Sequence, residues 1–374
     1  MRIGLDYRPV TAAPHSGIAR QVLAMEQALL SRPGIEVLRF TAAPMGHPHR
    51  EQAFCPVWSS PAHGLHRPAV RWKFEVKFLP ERMRALKPDI YIATANNGLP
   101  VAGAGNTRYV LLLHDLFQLT MDNHHSHWLK AMAYRWIDRL SIGYSLSRAD
   151  AIWTPSLFTA SEAVRLFPAT ASKVSVLPGA VPDMPADLTL SLPFGLPKRY
   201  WLVVGMREPR KNIPWFISQW RQARSSDASV PELVAVGSAS DLPETLRQSA
   251  GLQVISEIND EQLRVLYARA ERLWQPSRAE GFGLPVVEAL AQAAPVAVAR
   301  GSALDEVAPA QAARFDPDDS AALRALMLEL ARNPATSPDE SEIFRDWAQK
   351  FAMPAYTPRL WALIDGLCEK KAPT

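Results

Sequence analysis

Short apolar runs alternate with longer amphipathic stretches along almost the whole chain. The runs are rich in β-branched and aromatic residues, which favours buried strands. They predict strands at 2–7, 35–40, 89–94, 109–114, 151–155, 173–178, 200–205, 232–237, 252–256, 272–277 and 295–299. Helical periodicity lies between them, as at 17–31, 126–148 and 156–167. This alternation predicts an α/β protein with parallel sheets covered on both faces, and ligands then bind at the carboxyl ends of the strands.

The stretch 178–199 is rich in proline and has no helical period, which indicates a linker. A chain of 374 residues is also long for a single core. We therefore expect an N-terminal Rossmann-like domain over 1–185 and a C-terminal Rossmann-like domain over 186–350, facing each other across a cleft. The amphipathic end of the chain, 351–374, predicts a helix that could return to the N-terminal domain.

No apolar run is long enough to span a membrane, and the N-terminus lacks the apolar region of a signal peptide. The cysteines, Cys55 and Cys368, suit neither a disulfide framework nor a zinc site. We therefore expect a cytoplasmic protein, either free or bound peripherally at the inner face of the membrane. Residues 1–185 carry 20 Lys and Arg against 13 Asp and Glu, a net charge of +7. This basic half indicates an anionic partner or simply a solvated surface.

The segment SRAEGFGLPVVEAL contains two acids, Glu280 and Glu288, on either side of a glycine-rich turn. The turn follows a predicted strand and opens a helix, so the amides of Gly283 and Leu284 are expected at a helix N-terminus, where anions bind. Carboxylates suit hydroxyl groups better than phosphate, so Glu288 fits a ribose diol and Glu280 a second polyol. The alternative is an ordinary helix acid beside a strand-end acid.

A second candidate is the loop MREPRKN, which follows the predicted strand 200–205 and contains Arg207, Arg210 and Lys211. Three cations beside a helix N-terminus suit a diphosphate, although a solvated basic loop is the alternative. At the first strand–helix turn, Gly17 either lies under a phosphate or follows a capping residue. His114 ends a predicted strand, where it either touches substrate or is a structural histidine. The run HHSH at 124–127 favours a loop over a metal site.

Together these motifs resemble the retaining nucleotide-sugar glycosyltransferases of family 4, which have the GT-B fold. EGFGLPVVEALAQAAPV carries the E-x7-E pattern of that family, and SGIARQV, LLLHDLFQLT, ADAIWTPS, KVSVLPGAV, VGMREPRKN and LYARAERLWQPS occur in the same order. The resemblance covers about residues 1–330. HDL and EPRKN are most similar to bacterial mannosyl- and rhamnosyl-type transferases of surface polysaccharides, many of which use GDP-mannose.

The resemblance implies a hexosyltransferase of cell-surface polysaccharide synthesis, with an acceptor-binding N-terminal domain and a donor-binding C-terminal domain. It implies catalytic roles for His114, Lys211 and Glu280. It implies donor contacts from Gly17, Arg207 or Arg210, Lys211, Phe282, Gly283, Leu284 and Glu288. Three positions depart from the family pattern: Met206 stands where arginine is frequent, Ala293 where glycine is frequent, and Ser256-Glu257 where a glycine–aromatic pair is usual.

The implied reaction retains the anomeric configuration and needs no metal ion. The implied partners are a nucleotide-sugar donor and a glycan or polyprenyl-diphosphate-linked acceptor, with no nucleic acid. UDP- or dTDP-sugars are alternative donors. A catalytically silent nucleotide-sugar-binding subunit is an alternative of another class.

The stretch 66–87 interleaves seven basic residues with aromatic and aliphatic ones. Two interpretations remain: docking on an anionic membrane surface, or a core helix whose apolar side chains face the protein. Pro80 indicates two helical pieces rather than one.

Overall fold

The computed structural model describes residues 1–42, 57–60, 68–103, 105–121, 128–182, 184–333 and 338–369. The chain forms two compact units: unit 1 comprises Met1–Ala180 and Met353–Thr374, and unit 2 comprises Val181–Ala352. Each unit is built around its own parallel sheet.

The described part of unit 1 contains a seven-stranded sheet in the order β3-β2-β1-β4-β5-β6-β7. Its strands are β1 (Arg2–Asp6), β2 (Glu36–Thr41), β3 (Val57–Ser59), β4 (Ile90–Ala93), β5 (Arg108–Leu112), β6 (Ala151–Thr154) and β7 (Val174–Val176). Its α-helices are α1 (Arg8–Ala12), α2 (Gly17–Leu30), α3 (Pro68–Lys73), α4 (Leu79–Leu86), α5 (Phe117–Thr120), α6 (Trp128–Arg148), α7 (Leu157–Leu166) and, later in the chain, α15 (Met353–Glu369). A π-helical turn, Phe74–Phe78, joins α3 to α4.

The sheet of unit 2, within its described residues, has six parallel strands in the order β10-β9-β8-β11-β12-β13. These strands are β8 (Tyr200–Val204), β9 (Glu232–Val236), β10 (Leu252–Ile255), β11 (Arg272–Gln275), β12 (Val296–Ala299) and β13 (Ala313–Phe315). The α-helices are α8 (Ile213–Ser226), α9 (Glu244–Arg247), α10 (Asp260–Arg269), α11 (Leu284–Ala291), α12 (Leu304–Val307), α13 (Ser320–Arg332) and α14 (Pro338–Gln349).

Both sheets are buried on both faces, as the apolar runs predict. In β8, Trp201 and Val203 join one apolar cluster, whereas Leu202 joins the cluster on the opposite face. Alternate side chains of a strand point to opposite faces, so a strand covered on both faces must be apolar throughout. The prediction of parallel sheets in an α/β fold is therefore confirmed.

The strand order of each sheet reverses direction at one point. In unit 1 the reversal lies between β1 and β4, and in unit 2 between β8 and β11. Connections leave the sheet in opposite directions at such a point, which opens a crevice beyond the carboxyl ends of the two strands. The topology therefore selects two places, one in each unit, where a ligand site is expected.

The last helix, α15, belongs to unit 1 and packs against α2. Trp361 donates a hydrogen bond from Nε1 to the carbonyl oxygen of Ala28 at 3.1 Å, and Arg32 pairs with Asp365 through two hydrogen bonds of 2.7 and 3.2 Å. This helix spans Met353–Glu369, within the predicted 351–374, and continues through Pro358.

Two local features of unit 2 follow from the sequence. Asn259 and Gln262 form a capping box at the start of α10, with both reciprocal hydrogen bonds formed. The described residues of 178–199 form no helix or extended strand, and those from Val181 onward belong to unit 2.

Helix α11 ends in a left-handed residue that is not glycine. Ala293 has a φ of 61°. The next residue, Ala294, donates its amide hydrogen to the carbonyl oxygen of Ala289 at 2.9 Å, which is the Schellman pattern of helix termination. A Cβ atom strains this conformation, so glycine is the usual residue there. The strain accounts physically for the glycine that is frequent at this position in the family that the sequence resembles.

We expect Ala293→Gly to raise the free energy of unfolding by about 1 kcal/mol, because loss of Cβ relieves left-handed strain that exceeds the extra chain entropy of glycine. Chemical denaturation of the purified variant measures this. Ala291→Gly, inside the same helix, is the matched control and should lower the free energy of unfolding by about 0.5–1 kcal/mol. If Ala293→Gly is no more stable than the wild type, the strain assignment is wrong.

Candidate functional site at the carboxyl ends of β8 and β11

Two loops meet at the reversal point of the unit 2 sheet. One follows β8 and contains Arg210 and Lys211; the other follows β11 and contains Glu280. Because β8 and β11 are neighbours and parallel, both loops leave the same edge of the sheet. Residues that are 70 positions apart in the chain are thereby brought into hydrogen-bond contact.

The loop after β8 folds back over the end of its own strand. Gly205 has a φ of 81°, and a Cβ atom at this position would lie 2.7 Å from Nζ of Lys211. Glycine is therefore required twice, for the backbone turn and for the close approach of the lysine. A 3₁₀ turn, Pro209–Lys211, then leads to Asn212, which has a φ of 56° and directly precedes α8. The ammonium group of Lys211 is thereby placed at the carboxyl end of β8.

Arg210 joins the two loops. It donates from Nη1 to Oε2 of Glu280 at 2.6 Å and to the carbonyl oxygen of Ala279 at 2.9 Å. Its own carbonyl oxygen accepts a hydrogen bond from the amide of Arg278 at 2.9 Å. Its Nε donates to the exposed carboxylate of Glu208 at 2.6 Å. The position of the guanidinium group is therefore determined by both loops.

Glu280 is buried, with a side chain 8% exposed, and both of its oxygens accept hydrogen bonds. Oε2 accepts from Arg210, while Oε1 accepts from Ser277 Oγ at 2.8 Å and from Gln275 Nε2 at 3.0 Å. Burial opposes ionisation, but the charges of Lys211 and Arg210, together with the hydrogen bonds from Arg210 and Ser277, outweigh it and lower the pKa of Glu280. The carboxylate is therefore ionised at neutral pH.

The glycine-rich turn opens α11 as the sequence predicts. Gly283 has a φ of 101°, and a Cβ atom there would lie 2.6 Å from Cδ2 of Leu304. The helix begins at Leu284, with Pro285 in its first turn. The side chain of Phe282 is buried in the core of unit 2, where its ring meets that of Phe351 edge-on at 5.5 Å. At the turn, the positive end of the helix dipole thus lies next to the Arg210–Glu280 cluster.

Glu288 lies in the second turn of α11 and is half-buried. One of its oxygens, Oε2, accepts a hydrogen bond from Tyr267 Oη at 3.0 Å. Tyr267 belongs to α10, so the carboxylate is oriented by a neighbouring helix. Glu280 and Glu288 are therefore not equivalent acids: the first is enclosed by cations and donors, and the second is a half-buried helix residue.

The other positions of this region differ in exposure. Arg207 is exposed, whereas Arg210 and Lys211 are half-buried. Met206, at the position where arginine is frequent in the resembled family, is 3% exposed and lies in an apolar cluster, against Gly237. Ser256 and Glu257 are exposed, and Glu257 has a φ of 56°.

At the reversal point of the unit 1 sheet, a buried ion pair follows β1. Arg8 donates to Asp6 through Nε at 2.9 Å and Nη2 at 2.7 Å. Gly98 has a φ of 109°, and a Cβ atom there would lie 2.1 Å from Nη2 of Arg8. Thr94, after β4, donates from Oγ1 to the carbonyl oxygen of Asp6 at 2.6 Å. These bonds hold the loops after β1 and β4 together.

His114 lies beyond the carboxyl end of β5 in the same unit. Its backbone amide donates to Oδ1 of Asn96 at 2.8 Å, and its Nε2 lies 2.8 Å from the carbonyl oxygen of Thr94. Burial lowers the pKa of His114, although the carbonyl of Thr94 and the charge of Asp115 oppose this. A neutral ring that donates from Nε2 leaves Nδ1 as a hydrogen-bond acceptor.

Ser16 caps α2 by accepting a hydrogen bond from the amide of Ala19 at 3.1 Å, so Gly17 occupies the first helical position. The run 124–127 and Cys55 lie outside the described residues, and Cys368 is an exposed free thiol. Within the described part of the chain, no group of three or more His, Cys, Asp and Glu could hold a metal ion, and no helix is long and apolar enough to cross a membrane.

Sequence reasoning did not identify Gln275 and Ser277, although both donate to Glu280. They lie in the segment WQPS at the end of β11, directly before the acid. Two polar residues at the end of an otherwise apolar strand are the signal that could have indicated them, since buried polar groups require partners. Oε1 of Gln275 is itself buried and has no hydrogen-bond partner among the described atoms.

Two family models match the chain: glycosyltransferase family 4 over residues 15–183, and glycosyl transferases group 1 over residues 198–333. O-antigen chain mannosyltransferase B of Escherichia coli is 29% identical over 236 residues, covering 59% of this chain and 61% of that protein. O-antigen chain mannosyltransferase RfbU of Salmonella typhimurium is 28% identical over 161 residues, covering 41% of this chain and 43% of that protein. The matches thus span about half the length of these relatives.

The structure is also similar to that of a sucrose-phosphate synthase from Thermosynechococcus elongatus, with a TM-score of 0.74 and 18% identity over 98% of this chain and 99% of the other. This likeness concerns the fold, which is the GT-B fold of the glycosyltransferases. With one family model matched in unit 1 and the other in unit 2, the chain belongs to the family 4 glycosyltransferases.

Proposed function

We propose that this chain is a retaining hexosyltransferase of bacterial surface-polysaccharide synthesis. The donor is a nucleotide-sugar, with GDP-mannose as the proposed species, and the acceptor is a glycan or a polyprenyl-diphosphate-linked sugar. The observation that carries the proposal is the cluster of Arg210, Lys211 and Glu280 beside the N-terminus of α11 at the reversal point of the unit 2 sheet. The names of the two O-antigen mannosyltransferases support the choice of mannose and of surface polysaccharide.

The donor diphosphate is proposed to bind beside Lys211, Arg210 and the amides of Gly283 and Leu284. A helix N-terminus supplies unpaired amide hydrogens and a partial positive charge, and the two cations supply full charges. The ammonium group of Lys211 lies over Gly205, at the end of a long side chain that can turn towards a bound anion. The set is suited to stabilise the negative charge that develops on a departing diphosphate.

Arg210, rather than Arg207, is proposed as the diphosphate arginine. Its guanidinium group is half-buried and held by the carbonyl of Ala279 and the carboxylate of Glu280. An arginine fixed in this way loses little side-chain entropy when it binds an anion. Arg207 is exposed and would have to be ordered on binding.

Glu280 is proposed to orient Arg210 and to accept one hydroxyl group of the donor sugar. Three hydrogen bonds already occupy most of its acceptor positions, and its pKa is lowered. A carboxylate held in this way is a poor nucleophile, which agrees with a reaction that forms no sugar–enzyme bond. Glu288, oriented by Tyr267, is proposed to accept the ribose hydroxyls.

The acceptor is proposed to bind in unit 1, beyond the carboxyl ends of β1 and β4. His114 would contact the donor sugar through Nδ1, the nitrogen that its bond to Thr94 leaves as an acceptor. Gly17, in the first turn of α2, would allow a phosphate to approach the backbone. In the structure, both residues lie in unit 1.

In the proposed reaction the bond between the anomeric carbon and the diphosphate oxygen breaks. The acceptor oxygen bonds to the same face of that carbon, which retains the configuration. The acceptor proton passes to a diphosphate oxygen, and a nucleoside diphosphate leaves. Lys211, Arg210 and the α11 amides stabilise the leaving group throughout, so no metal ion enters the proposal.

Turnover with a panel of GDP-, UDP-, ADP- and dTDP-sugars, each with a polyprenyl-diphosphate-linked acceptor, tests the function. We expect glycosidic product with GDP-mannose and with retained configuration. If product forms only from a UDP- or dTDP-sugar, that sugar is the donor and the assignment of GDP-mannose is wrong. Binding of a nucleotide-sugar without product from any combination would favour a silent binding subunit.

Lys211→Ala should lower turnover by a factor on the order of 10²–10³, because it removes about 2–4 kcal/mol of charge stabilisation from the transition state. The free energy of unfolding should change less than turnover does, because Arg210, Ser277 and Gln275 still donate to the carboxylate of Glu280. Lys198→Ala is the matched control, because Lys198 is an exposed lysine near the opposite end of β8 and should leave turnover unchanged. Near-normal turnover of Lys211→Ala would refute the diphosphate assignment.

Glu280→Gln should reduce the free energy of unfolding at pH 7 by roughly 2–4 kcal/mol, because it leaves Arg210 without its buried partner. The folded pKa of Glu280 is lowered. Its contribution is therefore fully present above the unfolded pKa, about 4.3, and is lost as the pH falls through the lower folded value. Denaturation from pH 7 downwards should show the stabilities of wild type and variant converging in acid.

Glu208→Gln is the control, because Glu208 pairs with the same arginine from an exposed position. A surface pair contributes about 0–1 kcal/mol, so this variant should stay close to the wild type at every pH. A Glu280→Gln variant as stable as Glu208→Gln at pH 7 would contradict the account of an ionised, enclosed carboxylate.

A further inference from the structure

A small pocket lies in unit 1 at the carboxyl ends of β5 and β6. It is lined by residues of α2, β5, β6 and α15, and by the loops that follow β5, β6 and β7. This is the edge of a parallel sheet at which ligands bind in open α/β folds. The cavity volume of about 30 Å³ has room for a water molecule or a single hydroxyl group, but not for a whole sugar ring.

The pocket is closed on one side by the core and open on the other. Met25, Trp153 and Leu177 form its apolar floor and are at most 4% exposed. Gln21 and His114, at its mouth, are half-buried. The amide of Gln21 is already occupied, since it exchanges two hydrogen bonds of 2.7 Å with the backbone of the residue after Gly179. The polar groups left to meet a ligand therefore come from other residues.

Tyr356, in the first turn of α15, contributes a hydroxyl group to this pocket. The residue is 3% exposed, and its ring packs in an apolar cluster of the unit 1 core. The hydroxyl forms no hydrogen bond within the described residues. Its oxygen is not fully enclosed, so it opens onto the pocket that this residue lines. A buried tyrosine hydroxyl normally has a partner, so one from outside the chain is expected here.

The hydroxyl of Tyr356 is a neutral donor. Burial raises its pKa, and no neighbouring charge or hydrogen bond opposes this effect. It can therefore donate to an oxygen atom that enters the pocket, in surroundings from which most water is excluded. An unpaired polar group in such a place costs more free energy than the same group in solvent.

His114 supplies an acceptor at the mouth of the same pocket. Its Nε2 is engaged with the carbonyl oxygen of Thr94 at 2.8 Å, and burial lowers the pKa of the ring. The neutral ring then carries a free lone pair on Nδ1. A hydroxyl group accepts one hydrogen bond and donates another, so it complements a pocket that offers the donor of Tyr356 and the acceptor of His114.

We propose that this pocket receives one hydroxyl group of the hexose carried by the donor, and that Tyr356 determines specificity by donating a hydrogen bond to it. The inference rests on the proposed function and adds to it a residue of α15, which lies outside the segments matched by the two family models. A hexose that lacks this hydroxyl would leave the polar group of Tyr356 unpaired. Sites that bind a substrate hydroxyl in this way discriminate against the analogue without it.

Isothermal titration without acceptor tests the proposal. The ligands are GDP-mannose and analogues that each lack one hydroxyl group of the mannose. Wild type should bind one of these analogues about fivefold or more weakly than GDP-mannose, as expected for loss of a buried hydrogen bond. Tyr356→Phe should bind that analogue and GDP-mannose within about twofold of each other, and should bind GDP as the wild type does. If the wild type prefers a UDP- or dTDP-sugar, the analogues are those of that sugar.

Tyr200→Phe is the matched control, because Tyr200 is also buried but donates to the carbonyl oxygen of Leu266 at 2.8 Å. This control should keep the discrimination of the wild type and should have a lower Tm, since it loses an internal hydrogen bond. Tyr356→Phe should have a Tm equal to that of the wild type or higher, because its hydroxyl has no partner to lose. A loss of Tm like that of Tyr200→Phe would overturn the proposal.

The affinities also separate this inference from the proposed function. If Tyr356→Phe keeps the full discrimination of the wild type, the pocket holds water only and the inference is overturned, while the function stands. If the wild type binds nucleotide-sugars but transfers no sugar, the function fails, and the discrimination still decides the inference. A wild type that binds no nucleotide-sugar overturns both.

Discussion

The buried carboxylate of Glu280 is the constraint on which the candidate site of unit 2 depends. A charge at this depth is tolerated only with a compensating partner, and Arg210 supplies it across the gap between two loops. Ser277 and Gln275 complete the set of donors to the same group. Because the pair joins the loop after β8 to the loop after β11, it also fixes where a cationic group meets the N-terminus of α11. The geometry of the cluster thus follows from the need to compensate one buried charge.

The location of that cluster could be predicted from the sequence to a considerable extent. Continuous apolar runs identify strands covered on both faces, and GFGLP marks a strand–turn–helix connection because Gly283 needs a left-handed turn. The edge strands β3 and β13 were not predicted, because neither of these three-residue strands lies in a longer apolar run. The sequence also could not decide whether Arg207 or Arg210 is the better candidate for binding a diphosphate. That choice depends on which side chain reaches an acid 70 residues away.

The surface of α6 shows a second limit of sequence reasoning. A helix with apolar residues on two sides has no single face that periodicity can assign to the core. Tertiary packing buries Ile142 and leaves Leu140 exposed. In the stretch 66–87, by contrast, tertiary packing buries Phe74 and Phe78, while their basic neighbours stay in solvent. Tertiary packing thus decides which apolar side chains of unit 1 are buried and which remain exposed.

The central claim is that the arginine fixed by Glu280 binds the diphosphate of the donor. Isothermal titration of GDP into Arg210→Ala and Arg207→Ala tests it most directly, because the two arginines share one loop and differ in how they are held. The account predicts that Arg210→Ala weakens affinity by a factor on the order of tenfold or more, as expected for loss of a charged hydrogen bond, while Arg207→Ala stays within about twofold of the wild type. Arg210→Lys, which keeps the charge beside Glu280, should bind with intermediate affinity. Equal affinity in Arg210→Ala and wild type, or a larger loss in Arg207→Ala, would contradict the account.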